Sequence, residues 1–191
     1  RDLVRSRGLG DVYKRQVVLY RAEDNSAQGI GKRTSRIGYA ESADGVTMKR
    51  LDSPVLFPGG DEFESIECPG GCEDPRVAMT EDGLYVMLYT AWNRKTPRLA
   101  VATSKDLKNW TKHGIAFEKA YDGRFARIAT KSASILTKVK GGKLVIDKVD
   151  GKYFMYWGEY AVHAATSDNL TDWYPVLDEN HELLKIAKPR N

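Results

Sequence analysis

Residues 99–106, LAVATSKD, decide the fold of this 191-residue chain because related segments occur on either side of them. Residues 37–44 read IGYAESAD, and residues 162–169 read VHAATSDN. In each segment a large apolar residue follows the serine by six positions, and the serines lie 62 and 63 residues apart. A fixed period of this kind predicts a repeated structural unit. The Ser-x-Asp pattern itself predicts a hydrogen-bonded turn at the end of a strand.

Further apolar segments in each unit have the length of short antiparallel strands. Before the repeat segments lie residues 17–21, 84–89 and 152–157, which are rich in aromatic and β-branched residues. The latter two follow Asp-Gly pairs, which are hairpin turn signals. Each unit is therefore predicted to contain about four antiparallel strands. Because a four-stranded unit repeated around an axis is a propeller blade, we predict an all-β fold, a β-propeller.

The predicted number of blades is about three. Propellers close with four to eight blades, and three would leave sheet edges unpaired. We expect residues 17–191 to form a partial β-propeller domain that is truncated at both ends and does not fold stably alone.

Residues 1–16, RDLVRSRGLGDVYKRQ, resemble a translated sequencing adapter, and we expect them to be non-native. They contain five basic and two acidic residues and so carry +3 of the formal net charge of +4. The nearly neutral remainder gives no reason to expect a nucleic-acid partner. No 18-residue apolar window occurs, so we predict no transmembrane helix and no membrane partner.

The chain has two cysteines, Cys68 and Cys72, separated by three residues. No second Cys or His pair follows at the spacing of a zinc site, so free thiols are the favoured state. We predict no metal and no cofactor.

The chemistry is predicted to centre on residues 70–76, GGCEDPR, which place two carboxylates, a proline and an arginine in a tight turn ahead of a strand. A buried carboxylate beside a guanidinium is costly to build unless it has a use. We interpret Asp74 and Glu159 as an acid/base pair. Inverting glycoside cleavage needs one group that protonates the departing oxygen and a second, roughly 6.5–9.5 Å away, that deprotonates water. The structural alternatives are a turn residue at Asp74 and a solvated or ion-paired Glu159.

Together, residues 20–26, 35–38 and 71–76 and the repeats resemble glycoside hydrolase family 130 over residues 17–191. The resemblance implies a five-bladed β-propeller that acts on β-mannosides, either as a phosphorylase or as a hydrolase. It implies that Asp74 is the acid and that its proton passes through the mannosyl 3-hydroxyl. The residues implied to line the mannosyl pocket are Asn25, Ser26, Arg36 and Arg76.

The choice between phosphate and water depends on charge, because a phosphorylase must hold a phosphate dianion with clustered cations. Where phosphorylase members of the family have an Arg-Asn pair and a further basic residue, this chain has Lys131-Ser132 and Gly158-Glu159. A carboxylate at Glu159 would repel phosphate and could activate water as a general base. This pattern is similar to the hydrolase branch, which cleaves β-1,2-mannosidic linkages with inversion.

The prediction is therefore a β-mannosidase domain whose partner is a β-mannoside oligosaccharide and which is inactive as this fragment alone. The first alternative is a β-mannoside phosphorylase, in which Lys131 and Arg36 help to bind inorganic phosphate. A second alternative is a carbohydrate-binding propeller without activity, and a third is an arabinan- or xylan-cleaving propeller. The oligomeric state and the cellular compartment are left open.

Overall fold

A computed structural model describes residues 15–25, 29 and 31–188, and these form an all-β structure with one helical turn. The elements of the first half are β1 (Gln16–Glu23), β2 (Ser35–Ser42), β3 (Lys49–Arg50), α1 (Glu64–Glu67), β4 (Gly71–Met79), β5 (Tyr85–Trp92), β6 (Pro97–Ser104) and β7 (Thr111–Ile115). Those of the second half are β8 (Ser132–Ile135), β9 (Thr137–Lys140), β10 (Lys143–Ile146), β11 (Lys148–Val149), β12 (Lys152–Gly158), β13 (His163–Ser167) and β14 (Tyr174–Pro175).

The strands pair as three successive units. In the first unit β1 pairs with β2, and β2 with β3. In the second, β4, β5, β6 and β7 form an antiparallel meander. The third has the order β8-β12-β13-β14, with β11 on the edge of β12 and the β9–β10 hairpin as a separate sheet. The first two units belong to one sheet because Ser35 of β2 pairs in parallel with Gly71 of β4.

The repeated Ser-x-Asp element forms the turn that the sequence predicts. Ser104 Oγ donates to Asp106 Oδ1 (3.0 Å), which accepts the backbone N–H of Asn109 (2.7 Å). Ser42 and Asp44 form the same arrangement in the first unit. Backbone donors lower the pKa of Asp106 because they stabilise its ionised form. These residues therefore shape the scaffold.

Two hydrophobic clusters cover opposite faces of the second unit. On one face Leu88 and Val101 pack in a cluster with Met155 of the third unit. On the other, Met87 lies in a cluster with Ile37 of the first unit. Because both faces of this sheet are buried, the sequence of β5 is almost continuously apolar and does not alternate between apolar and polar residues.

Regular strand structure is short at the outer edges of the first and third units. The apolar segment around Leu56 forms only a single bridge, to Ile37, and β14 is only two residues long. The short helix α1 was not predicted, because four residues are too few to produce a helical period. The helix α1 contacts β5, and Leu56 lies in the hydrophobic cluster that contains Met87 of that strand.

Within the described ranges, no helix is both long and apolar enough to span a bilayer. Cys68 and Cys72 are free, as predicted. Burial raises the pKa of both thiols, and that of Cys72 more strongly, so these cysteines are poor nucleophiles at neutral pH.

Candidate active site

The predicted turn at residues 70–76 is instead part of strand β4, interrupted by a β-bulge. Glu73 pairs with Thr90, and the next pair joins Arg76 to Leu88, so β4 has one additional residue between the two pairs. Asp74 adopts a positive φ of 50° in this bulge. A bulge turns a side chain away from the regular alternation of the strand. As a result the Asp74 side chain is 43% exposed, whereas the adjacent Glu73 side chain is 5% exposed.

Gly71 brings this strand against the first unit. Its φ is +112°, and a Cβ at this position would clash with the backbone of Ser35. Only glycine allows the two strands to approach so closely. The contact places β2 beside the residues that lead into the bulge.

Arg21 of β1 connects the first unit to the bulge through four side chains. Its Nη2 donates to Glu23 Oε1 at 2.6 Å and lies 3.1 Å from Glu73 Oε1. Its Nε donates to Ser35 Oγ at 3.1 Å, and the Ser35 hydroxyl donates to Glu73 Oε1 at 3.0 Å. The longest contact is from Nη1 to Asp74 Oδ1, at 3.5 Å. We call these five residues the Arg21 cluster.

The Arg21 cluster has an excess of negative charge, because Glu23, Glu73 and Asp74 share one guanidinium. Burial raises the pKa of Glu73, against the opposing effects of Arg21 and Ser35, and the neighbouring charge of Asp74 raises it further. For Arg21, desolvation lowers the pKa, but the carboxylates outweigh it, Glu73 foremost, and the net shift is upward. The cluster therefore keeps a permanent cation beside two adjacent carboxyl groups.

Glu159 lies in the loop after β12 and lines a cavity of about 460 Å³. Arg76, two residues beyond Asp74, lines the same cavity, as does Tyr156. The loop depends on Gly158, whose φ is +139° and where a Cβ would clash with the Ala161 carbonyl oxygen. The structure thus brings Glu159 and Arg76 to one cavity, while Asp74 lies in the Arg21 cluster.

The predicted mannosyl-pocket residues do not all come together. Arg36 forms a 2.6 Å ion pair with Asp24 and lines a separate cavity of about 390 Å³. Asn25 is exposed next to Asp24, and Ser26 lies outside the described residues. Because side chains alternate along β2, Arg36 and Ser35 point to opposite faces of the strand.

Lys131 lies immediately before β8, and its positive charge lowers the pKa of Glu73. Its carbonyl oxygen accepts a hydrogen bond from Thr90 Oγ1 at 3.1 Å. Thr90 also pairs with Glu73 across β4 and β5. Lys131 is therefore held beside the bulge that carries Asp74.

Sequence reasoning missed the role of Arg21 in this site. Arg76 was expected to line the mannosyl pocket, and its Nη1 donates to the Pro75 carbonyl oxygen, whereas the guanidinium that contacts Asp74 is that of Arg21. The sequence signal that could have indicated this role is the position of Arg21, a charged residue directly after the apolar segment of β1. In the described part of the chain, no group of three or more His, Cys, Asp or Glu residues is arranged to hold a metal ion.

A family model described as beta-1,4-mannooligosaccharide phosphorylase, that of glycoside hydrolase family 130, matches residues 3–189. The chain belongs to this family, as its motifs predict.

Solved structures of the family are similar to this chain over nearly all of its length. A candidate glycoside hydrolase from Bacteroides ovatus ATCC 8483 is 72% identical, with a TM-score of 0.87 over 93% of this chain and 50% of that one. A second structure, 59% identical, has a TM-score of 0.91 over 94% of this chain and 50% of that one. The description of this second structure says that the family of mannoside phosphorylases contains glycoside hydrolases that target beta-1,2 mannosidic linkages in Candida mannan.

A curated relative is the 1,2-beta-oligomannan phosphorylase of Thermoanaerobacter sp. (strain X514). It is 33% identical over 168 residues, which are 84% of this chain and 49% of the relative. The chain thus spans about half the length of the relatives that it matches.

Proposed function

We propose that this chain supplies active-site residues of an inverting glycosidase that hydrolyses β-mannosidic bonds, β-1,2 linkages in particular. In this proposal Asp74 protonates the departing oxygen, by way of the mannosyl 3-hydroxyl, and Glu159 deprotonates the attacking water. The partner is a β-mannoside oligosaccharide, with Asn25, Ser26, Arg36 and Arg76 as pocket residues.

The observation that carries the proposal is the exposed carboxylate of Glu159 in the same cavity as Arg76. Among the described residues Glu159 forms no ion pair, although the cations of Arg76 and Lys188 line the same cavity. A phosphate dianion bound here would be repelled by the Glu159 carboxylate as well as attracted by these cations. A water molecule would meet a base. The excess negative charge of the Arg21 cluster would also repel a phosphate dianion.

Phosphorolysis is the second candidate function. Curated relatives at 33% identity are named as phosphorylases, and Lys131 provides a cation near the bulge. The other proposed phosphate ligand, Arg36, is already ion-paired with Asp24 at 2.6 Å. The structure whose description names hydrolases that target beta-1,2 mannosidic linkages is 59% identical to this chain. Sequence similarity and the Glu159 carboxylate therefore favour hydrolysis.

The matched relatives are about twice as long as this chain, and the proposed activity is that of a protein of their length. We infer that the complete fold is a five-bladed propeller and that this chain alone is inactive. The test therefore uses a hybrid enzyme, in which this chain replaces the half of the Bacteroides ovatus relative that it matches at 72% identity. The chain alone is assayed beside the hybrid enzyme.

The hybrid enzyme is given β-1,2-mannobiose with and without inorganic phosphate, and the products are followed by proton NMR. We expect free mannose in both cases at the same rate, with the α-anomer formed first, because inversion at a β-linkage yields α. Mannose 1-phosphate, formed only when phosphate is present, would overturn hydrolysis in favour of phosphorolysis. A β-anomer as first product would overturn inversion.

A further inference from the structure

The guanidinium of Arg21 is fixed independently of Asp74. It makes a 2.6 Å contact with Glu23 and 3.1 Å contacts with Glu73 and Ser35. These three partners come from β1, β2 and β4, so the cation is held where the first two units meet. Hydrogen bonds between charged groups at these distances are strong and directional.

The contact with Asp74 is different, because at 3.5 Å it lies at the outer limit of a hydrogen bond. A guanidinium that is anchored by other partners can fix the direction of the Asp74 carboxyl group at this distance without forming a short ion pair with it. The positive φ of Asp74 gives this side chain a conformation that the strand itself would not impose.

We propose that Arg21 is a positioning residue for Asp74, which aims its carboxyl group at the substrate through an anchored guanidinium. The proposal rests on the proposed function, in which Asp74 is the acid. Arg21 acts through Asp74 and does not itself bind the sugar. Its loss should therefore slow proton donation and leave substrate affinity nearly unchanged.

The test compares Arg21→Met and Arg21→Lys in the hybrid enzyme, with phosphate present so that either acceptor is available. The control is Arg94→Met, since Arg94 also joins the second unit to the first, through a hydrogen bond to the Lys32 carbonyl oxygen, but contacts no carboxylate of the described residues. Two substrates are used: β-1,2-mannobiose, whose leaving group needs a proton, and 4-nitrophenyl β-mannoside, whose leaving group does not.

For Arg21→Met we expect kcat on mannobiose to fall about 100-fold, within the range of acid catalysis, with KM changed less than about threefold. On the aryl mannoside kcat should fall less than about threefold. Arg21→Lys keeps the charge but not the fork of donors and should lie between wild type and Arg21→Met. Arg94→Met should match the wild type on both substrates.

An equal loss on both substrates, or a loss confined to KM, would overturn the positioning role. If the enzyme does not cleave the aryl mannoside, the division between kcat and KM on mannobiose decides alone. Asp74→Asn is measured in parallel to separate the two proposals. If Asp74→Asn retains full activity on mannobiose, the proposed function fails. If it is inactive while Arg21→Met equals the wild type, only the role of Arg21 fails.

Discussion

Adjacent carboxyl groups in the bulge occupy opposite environments. Glu73 follows the regular alternation of β4 and is buried against Ser35 and Arg21, whereas Asp74 is turned outward by the bulge. Proline at position 75 has no N–H and so fits a point where the β-ladder is interrupted. The chain thereby obtains one structural and one accessible carboxyl group from neighbouring positions.

Glu73→Gln tests this division through pH. Burial raises the native pKa of Glu73 above its unfolded value, which is about 4.3. The native state therefore binds more protons at Glu73 in this range, and the contribution of Glu73 to the unfolding free energy falls as pH rises above about 4.3. Glu73→Gln lacks this loss. Urea unfolding of the hybrid enzyme between about pH 3 and pH 7 should show the wild-type advantage over Glu73→Gln shrinking as pH rises.

The control for this measurement is Glu41→Gln, where the sign is reversed. A hydrogen bond from Tyr39 lowers the native pKa of Glu41, so the wild type loses stability as pH falls through that lowered pKa. Its advantage over Glu41→Gln should grow as pH rises. Parallel curves for Glu73→Gln and the wild type would contradict the raised pKa of Glu73.

Individual residues were only partly predictable. Asp74 and Glu159 could be singled out because their neighbours in sequence form recognisable motifs. The contact between Arg21 and Asp74 could not, since the residues are 53 positions apart and meet through the pairing of β1, β2 and β4. Side-chain direction at Arg36 likewise depends on strand register.

At the scale of elements, a buried ion-pair network holds α1 and its flanking loop against the second unit. Lys112 Nζ contacts Glu67 Oε2 at 2.5 Å and Asp61 Oδ2 at 2.8 Å. The Tyr89 hydroxyl donates to Glu67 Oε1 at 2.7 Å, and Glu67 is fully buried. Since this segment leads directly into Gly71, the network helps to fix the start of β4.

Lys112→Met should destabilise the protein by about 3–5 kcal/mol, because it leaves the Glu67 carboxylate buried without its cation. The measurement is the unfolding free energy of the hybrid enzyme from urea titration. Lys119→Met is the matched control, since Lys119 pairs with Asp172 on the surface and its loss should leave the midpoint nearly unchanged. Equal effects of the two substitutions would contradict a structural role for the network.

Predictability at this scale follows the strength of local signals. The repeated turns and the hairpin strands were predictable because Ser-x-Asp and Asp-Gly specify local backbone geometry. The bulge in β4 and the helix α1 were not, since each depends on contacts with β5 and β2 that no local pattern encodes. The ion pair between Lys112 and Glu67 spans 45 positions and had no signal in the sequence.

At the scale of the molecule, the second unit is packed on both faces, and the third is joined to it through the side chain and backbone of Trp173. The indole is fully buried in the shared cluster, and its N–H donates to the Leu170 carbonyl oxygen at 2.9 Å. The backbone N–H of Trp173 donates to the Ala116 carbonyl oxygen of the second unit. One residue thus links two repeats.

Trp173→Ala should therefore cost about 3–5 kcal/mol of unfolding free energy, the usual range for a fully buried large aromatic side chain. Trp110, the equivalent residue of the second unit, is only partly buried, so Trp110→Ala should cost less. Urea unfolding of the hybrid enzyme, monitored by circular dichroism, measures both. A larger loss for Trp110→Ala would contradict the packing described here.

The central claim, that Asp74 is the acid of a β-mannoside-cleaving enzyme, is tested most directly by Asp74→Asn in the hybrid enzyme. Turnover of β-1,2-mannobiose and its affinity, by calorimetry, are measured on the same preparation. We predict a loss in kcat of about 10²–10⁴-fold with Kd changed less than about threefold. Undiminished turnover would contradict the claim, and sugar binding without turnover in the wild type would show a carbohydrate-binding protein instead.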